Sequence, residues 1–188
     1  MKQYMKNNIN KEILKKIVRE FLDNSNIKIS NDLREKTPNR VVEAWLEMTG
    51  GYMVDDALLY KIFPSSAKNL VVVKNIEFSS ICEHHLLPFS GVIHVGYVPN
   101  DGVLGLSKFA RIVDCFSKRL QIQEKMVIEI GESIIKNLKP KDLFIIAIAK
   151  HSCMSCRGVE QSSSETISFF TYGKFKDYKE HELMSIIK

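Results

Sequence analysis

Two short segments of the chain concentrate side chains that can bind a metal ion. Residues 82–85 (Cys-Glu-His-His) and 151–153 (His-Ser-Cys) together hold two thiols and three imidazoles, in a chain with only four cysteines and five histidines. Zn²⁺ takes thiolate and imidazole ligands in a tetrahedral arrangement, so Cys82 and His85 can supply two ligands and the distant Cys153 a third. A fourth position would then be left for water, whose pKa a bound zinc ion lowers from ~15.7 to ~7. Three protein ligands therefore indicate hydrolysis.

The same residues admit two other interpretations. Cys156 follows Cys153 with the same two-residue gap, so it could join Cys82, His85 and Cys153 in a closed Cys₃His structural site with no room for water. Spacing alone does not decide between the open and the closed site. A disulfide between Cys82 and Cys153 is the second alternative. Because no secretory hydrophobic segment opens the chain, we expect a reducing, cytoplasmic compartment, where paired thiols more often bind metal.

Composition indicates a chain with one substantial core. Of its 188 residues, 45% are hydrophobic and 26% are charged, which suits one domain with at most a small appendage. No apolar run approaches the ~20 residues needed to span a bilayer, so no membrane association is expected. The net charge of +5 suits a phosphorylated ligand. Nucleic acid is not the expected partner, because aromatic residues do not interleave with the basic ones.

The first third of the chain is predicted to be helical. Residues 13–22 carry apolar side chains at helical spacing and predict a first helix. Thr37 and Pro38 predict the start of a second helix, as its N-cap and first-turn proline. This helix should run through Met48 and stop at the paired glycines 50–51.

The remainder of the chain alternates strand pairs with helices. Strands rich in β-branched residues are predicted at 70–78, 90–98, 143–149 and 166–172, with helices beginning at 106 and covering 127–138. The order strand-strand-helix-helix-strand-strand is typical of an α+β fold, with helices covering one face of an antiparallel sheet. We therefore expect an N-terminal helical region, 1–66, and a catalytic region, 67–188, within one compact enzyme domain.

Four motifs give the chain a family resemblance. They are Cys-Glu-His-His-Leu-Leu-Pro-Phe at 82–89, Gly-Leu-Ser-Lys-Phe-Ala-Arg-Ile-Val at 105–113, Arg-Leu-Gln-Ile-Gln-Glu at 119–124 and His-x-Cys-Met-x-x-Arg-Gly-Val at 151–159. In order and spacing they closely resemble GTP cyclohydrolase I, from about Thr37 to the C-terminus. Four linked motifs are far more specific than any one of them.

The resemblance implies a fold, an assembly and a reaction. The fold would be an N-terminal helical pair on a tunnelling fold (T-fold), a four-stranded antiparallel sheet backed by two helices. The assembly would be a homodecamer of two stacked five-membered rings, with active sites between subunits. The reaction would open the imidazole ring of GTP at C8, release formate and yield 7,8-dihydroneopterin triphosphate, the first step of tetrahydrofolate and pterin biosynthesis.

The resemblance also assigns roles within the two metal-binding segments. It makes Cys82, His85 and Cys153 the zinc ligands and gives His84 and His151 the work of proton transfer. Histidine suits this work because its ordinary pKa lies closest to neutral pH.

The other motifs would bind the nucleotide. Glu124, with Gln123 beside it, matches the family's guanine-reading position, where a carboxylate can accept hydrogen bonds from N1–H and the 2-amino group. A glutamate at an exposed helix start, favoured by the helix dipole, is the plainer interpretation of that position. The residues that match the family's triphosphate contacts are Ser107, Lys108, Arg111, Arg157 and Arg40.

Three residues depart from the family pattern. Cys156 stands where the family usually has no ligand, so the closed Cys₃His site remains an alternative. Glu160 stands where many members are basic, and Glu43 lies one helical turn from Arg40, where some members have lysine. Both glutamates add negative charge near the expected triphosphate, so weaker phosphate binding is expected.

Two functions of other classes fit parts of the sequence. A zinc-stabilised basic binding module would use all four Cys and His ligands in a closed site, and its affinity for nucleic acid would fall steeply with salt. A related T-fold enzyme acting on a pterin or deazaguanine, such as a nitrile reductase, would need a reactive cysteine that is not bound to metal.

Overall fold

The computed structural model describes residues 9–188, which form helices, strands and short 3₁₀ turns. The helices are α1 (Lys11–Asn24), α2 (Asn31–Met48), α3 (Leu106–Ser117), α4 (Gln123–Leu138), α5 (Ser152–Ser155) and α6 (Glu180–Ile187). The strands are β1 (Ile62–Pro64), β2 (Val71–Cys82), β3 (Pro88–Val98), β4 (Gly102–Leu104), β5 (Leu120–Gln121), β6 (Asp142–His151) and β7 (Thr166–Tyr172). Within this range, no helix is both long and apolar enough to cross a membrane.

Helices α1 and α2 form the predicted N-terminal pair, held by a small core around Val18, Leu22 and Val42. The predicted start of α2 is wrong. The Ser30 side chain caps this helix by accepting a hydrogen bond from the Leu33 N–H, so α2 begins well before Thr37. Pro38 consequently lies inside the helix, although an interior proline loses one backbone hydrogen bond. A serine cap and a first-turn proline compete as start signals here, and the earlier one decides the boundary.

The main sheet has five strands in the order β5-β2-β3-β6-β7. Strands β2, β3, β6 and β7 pair antiparallel, as predicted. The short β5 was not predicted, and it adds a parallel partner to the last two residues of β2. A separate pair, β1 with β4, lies outside this sheet. Strand β2 also runs four residues beyond its predicted end, so that it reaches the first metal-binding segment.

The two faces of the sheet are covered differently. Helices α3 and α4 pack on one face and form the main core with β2, β3 and β6. Side chains alternate between faces along a strand, so Phe144 and Ile146 of β6 point to the other face. There they pack against Leu183 and Ile187 of α6. The expectation that helices cover one face is therefore correct for α3 and α4, while α6 covers part of the second.

Candidate active site

The first metal-binding segment forms a tight turn between β2 and β3. The Cys82 N–H donates to the Leu87 carbonyl at 2.9 Å, and the Leu86 N–H donates to the Cys82 carbonyl at 2.9 Å. Leu86 has φ of +55°, a left-handed conformation that costs a non-glycine residue roughly 1–2 kcal/mol. The turn leaves Cys82 buried at the strand end, while His84 and His85 are exposed.

Strand direction brings the second segment to the same place. Strands β2 and β6 are both antiparallel to β3, so they run in the same direction and end at the same edge of the sheet. Cys82 is the last residue of β2 and His151 the last of β6. The two strands lie about 10 Å apart, which is two strand spacings. Cys153 follows in the short helix α5 and reaches back across this gap.

Three side chains converge as a candidate metal site. The ligand atoms of Cys82, His85 and Cys153 lie within 4.8 Å of one another. Burial raises the pKa of the Cys153 thiol, and the Cys82 sulfur beside it adds to the effect. Two sulfurs with one imidazole suit zinc. The donor set therefore fits the predicted metal.

Cys156 does not join these donors within the described part of the chain. Its Sγ donates instead to the Ser152 carbonyl at 2.8 Å, one turn back along α5, and its side chain is exposed. The converging set thus has three protein ligands rather than four, which favours an open site over the closed Cys₃His alternative.

The two neighbouring histidines of the turn have different surroundings. His85 belongs to the converging set, whereas His84 does not. The His84 Nδ1 lies 3.7 Å from the Cys82 sulfur, and the two imidazole rings are 6.2 Å apart and inclined by 74°. His84 is therefore beside the candidate metal donors without being one of them.

His151 is held between an aromatic ring and a buried amide. Its ring stacks on Phe89 with centroids 4.6 Å apart and planes inclined by only 4°. Its Nε2 lies 2.8 Å from Oε1 of Gln123. Burial lowers the pKa of His151, and the nearby Glu124 carboxylate opposes this shift. Glu124 is exposed in the first turn of α4, so its carboxylate is accessible to a ligand.

The side chain of Gln123, predicted to lie beside Glu124 at the guanine, is buried against the sheet. It is 1% exposed, and its amide nitrogen donates to the carbonyls of Ala147 and Thr166 at 3.0 Å each. Its oxygen faces Nε2 of His151 and both amide hydrogens are used, so the side chain is held within the protein. The sequence did contain a signal, because residue 123 extends the apolar spacing of Met126 and Val127 towards the N-terminus of α4.

The predicted phosphate-binding residues of α3 lie away from the metal donors of the same chain. Helix α3 leads through β5 into pairing with the end of β2, so its C-terminal end lies near Cys82. The Leu104 N–H, just before the start of α3, donates to the Tyr97 hydroxyl. Tyr97 pairs with Val71, which is the first residue of β2 and lies at the opposite end of that strand from Cys82. Lys108 is therefore separated from the Cys82 end by about 14 Å of helix.

The basic residues expected to bind phosphate carry uncompensated charge. Within residues 9–188, no ion pair involves Lys108, Arg111, Arg157 or Arg40. Arg157 lies close enough to Cys153 to lower the pKa of that thiol slightly, against the larger effect of burial. Lys11 pairs with Glu43 at 2.8 Å, so part of the negative charge that the sequence places near Arg40 is neutralised.

Known proteins resemble this chain over most of its length. The sequence model of the GTP cyclohydrolase I family matches residues 14–188. GTP cyclohydrolase 1 of Bacteroides fragilis is 45% identical over 156 residues, which cover 81% of this chain and 80% of the relative. GTP cyclohydrolase 1 of Streptococcus agalactiae is 37% identical over 183 residues, which cover 95% of this chain and 98% of the relative.

A solved structure also aligns with part of the chain. The apo form of the archaeosine synthase QueF-Like covers 55% of this chain and 93% of its own, with 19% identity and a TM-score of 0.44.

Proposed function

This chain belongs to the GTP cyclohydrolase I family and hydrolyses GTP to 7,8-dihydroneopterin triphosphate and formate, and we propose that Cys82, His85 and Cys153 hold a catalytic zinc ion for that reaction. The observation that carries this proposal is the convergence of these three ligand atoms within 4.8 Å. When bound, zinc would lower the pKa of a coordinated water and so provide a nucleophile at neutral pH. Elemental analysis of the purified protein tests the proposal, with one zinc per chain expected.

The proposed proton-transfer groups are the imidazoles of His84 and His151. His84 approaches the site from the β2–β3 turn, beside Cys82, and His151 approaches from the end of β6. Ring opening requires protons at a purine nitrogen, and the later sugar rearrangement requires their removal from carbon. Two imidazoles outside the metal donor set can exchange protons without disturbing the ligands.

Glu124 is the proposed guanine-reading residue. Its exposed carboxylate at the start of α4 lies close to His151, so a base bound by Glu124 would lie beside the reacting groups. A carboxylate accepts from both N1–H and the 2-amino group of guanine, which adenine does not offer.

Replacement of that carboxylate should weaken GTP turnover selectively. For Glu124→Gln we expect a fall in kcat/KM for GTP that corresponds to a loss of ~2–4 kcal/mol in transition-state binding. The reason is that the NH₂ of the new amide would face one of the two donors of guanine. Zinc content should be unchanged. Glu132→Gln, an exposed glutamate two turns further along α4, is the matched control and should have little effect. An unchanged kcat/KM in Glu124→Gln would show that Glu124 only stabilises the start of α4 and does not bind guanine.

We propose that the triphosphate is bound by Ser107, Lys108, Arg111, Arg157 and Arg40, with α3 supplied by a neighbouring subunit. The support is the distance between the start of α3 and Cys82 within one chain, together with the unpaired basic groups on α3. An assembly of two stacked five-membered rings with active sites between subunits would bring these parts together.

Mixing two inactive variants tests the shared site. Cys153→Ser would lack the metal and Lys108→Ala would lack a phosphate contact. If each site combines α3 of one subunit with the metal donors of another, subunit exchange should create some sites that contain both an intact Lys108 and an intact Cys153. We expect formate release well above the sum of the two separate variants. Activity no greater than that sum, despite verified exchange by mass spectrometry, would indicate a site within one chain.

A further inference from the structure

The buried amide of Gln123 has only one chemically acceptable orientation. Its nitrogen lies 3.0 Å from the Ala147 carbonyl and 3.0 Å from the Thr166 carbonyl. Carbonyl oxygens only accept, so the group that faces them must be the NH₂, and both of its hydrogens are used. The opposite assignment would place three oxygens against one another in a position that is 1% exposed. The Oε1 atom must therefore be the one that faces His151.

This orientation determines which nitrogen of His151 carries a proton. Gln123 Oε1 is an acceptor without a hydrogen, and it lies 2.8 Å from the ring Nε2. A hydrogen bond at this distance requires a hydrogen on Nε2. In the neutral ring, Nδ1 is then unprotonated and carries the free lone pair. The stacking of the ring on Phe89 holds its plane beside the Gln123 amide.

The anchor of this arrangement is the sheet itself. Ala147 lies in β6 and Thr166 begins β7, and these strands pair directly, with Ala149 opposite Thr166. His151 ends β6, so the strand that carries the imidazole also carries one of the carbonyls that orient the amide. Small movements of β6 would therefore move the ring and its partner together.

We propose that Gln123 is a positioning residue that holds the neutral His151 ring as the Nε2–H tautomer, with the free lone pair on Nδ1. This rests on the proposed role of His151 in proton transfer. The hydrogen bond from Nε2–H to Gln123 Oε1 keeps the lone pair of the neutral ring on Nδ1.

Nitrogen NMR tests the tautomer directly. The zinc-loaded full-length protein is labelled with ring ¹⁵N-histidine, and its five histidines limit the spectrum to five rings. Loss of one set of signals in His151→Asn identifies that ring. We expect the neutral His151 ring to carry its hydrogen on Nε2 with Nδ1 unprotonated. A ring that is protonated on Nδ1, or an even mixture of both tautomers, would overturn the proposal.

Two substitutions separate positioning from simple structural support. Gln123→Met removes all three hydrogen bonds, and we expect a mixed tautomer and a kcat ~10–100-fold lower, with KM for GTP and zinc content little changed. Gln123→Glu keeps an acceptor for Nε2–H and, as a protonated carboxyl, can donate to one of the two carbonyls, so it should recover part of kcat. If Gln123→Met does not fold, the tautomer seen in the unmodified protein and the kcat of Gln123→Glu still test the proposal.

The matched control is Gln121→Met. Gln121 is equally buried and donates to the Phe116 carbonyl and to Glu129, without contacting His151. Its replacement should leave the His151 spectrum unchanged, and the same tautomer change in both variants would contradict a specific role for Gln123. If His151→Ala kept full kcat while His151 showed the expected tautomer, the proton-transfer role would fail and the positioning would stand.

Discussion

Cys153→Ser is expected to lose its zinc and its turnover of GTP together. A serine hydroxyl remains protonated at neutral pH and is a poor ligand for a borderline-soft cation, so only Cys82 and His85 would remain. Two ligands do not hold zinc against dilution. Elemental analysis after gel filtration should find zinc well below one per chain, and formate release should fall to background.

Cys156→Ser is the matched control, because it makes the same chemical change three residues away, directly after α5. The Cys156 sulfur bonds to the Ser152 carbonyl rather than to the metal donors, so zinc content and most activity should be retained. Loss of zinc in this variant, or a structure of the zinc-bound protein with the Cys156 sulfur at about 2.3 Å from the metal, would establish a fourth ligand. The open-site mechanism would then be wrong.

The second large effect separates two adjacent histidines. His84→Ala should keep its zinc and turn over GTP ~10²-fold or more slowly, because its imidazole lies beside Cys82 but outside the donor set. His85→Ala should lose the metal and therefore all activity. Zinc content and kcat, measured on the same preparations, give the comparison.

His151→Ala should behave as His84→Ala does, with zinc retained and kcat lowered. Its ring contacts Phe89 and Gln123 rather than the metal donors. Proton transfers at different stages would also allow a partly opened purine to accumulate in one histidine variant and not in the other. Equal zinc loss in His84→Ala and His85→Ala would contradict the division of work between them.

Local sequence predicted the main elements well where periodicity is long. The apolar spacing of α1 and the valine- and isoleucine-rich runs of β2 and β3 were sufficient. The start of α2 was missed because two local signals competed, and only packing and capping by Ser30 decided between them. Strand β5 has two residues, too few to produce a period.

The sequence by itself indicated the kind of chemistry and the family. The scarcity and spacing of Cys82, His85 and Cys153 predicted a metal site without deciding whether Cys156 joins it, and the four linked motifs predicted the family, because these properties depend on residue type and order alone.

Only the tertiary structure decided how the side chains of the site are partnered. It turned the Cys156 sulfur towards its own helix, committed the Gln123 amide to His151 and two strand carbonyls, and placed the start of α3 at the far end of β2 from Cys82. Each of these outcomes depends on contacts between elements that are distant in the chain. Local spacing carries no information on such contacts, because the direction of a side chain in space is set by how whole helices and strands pack together.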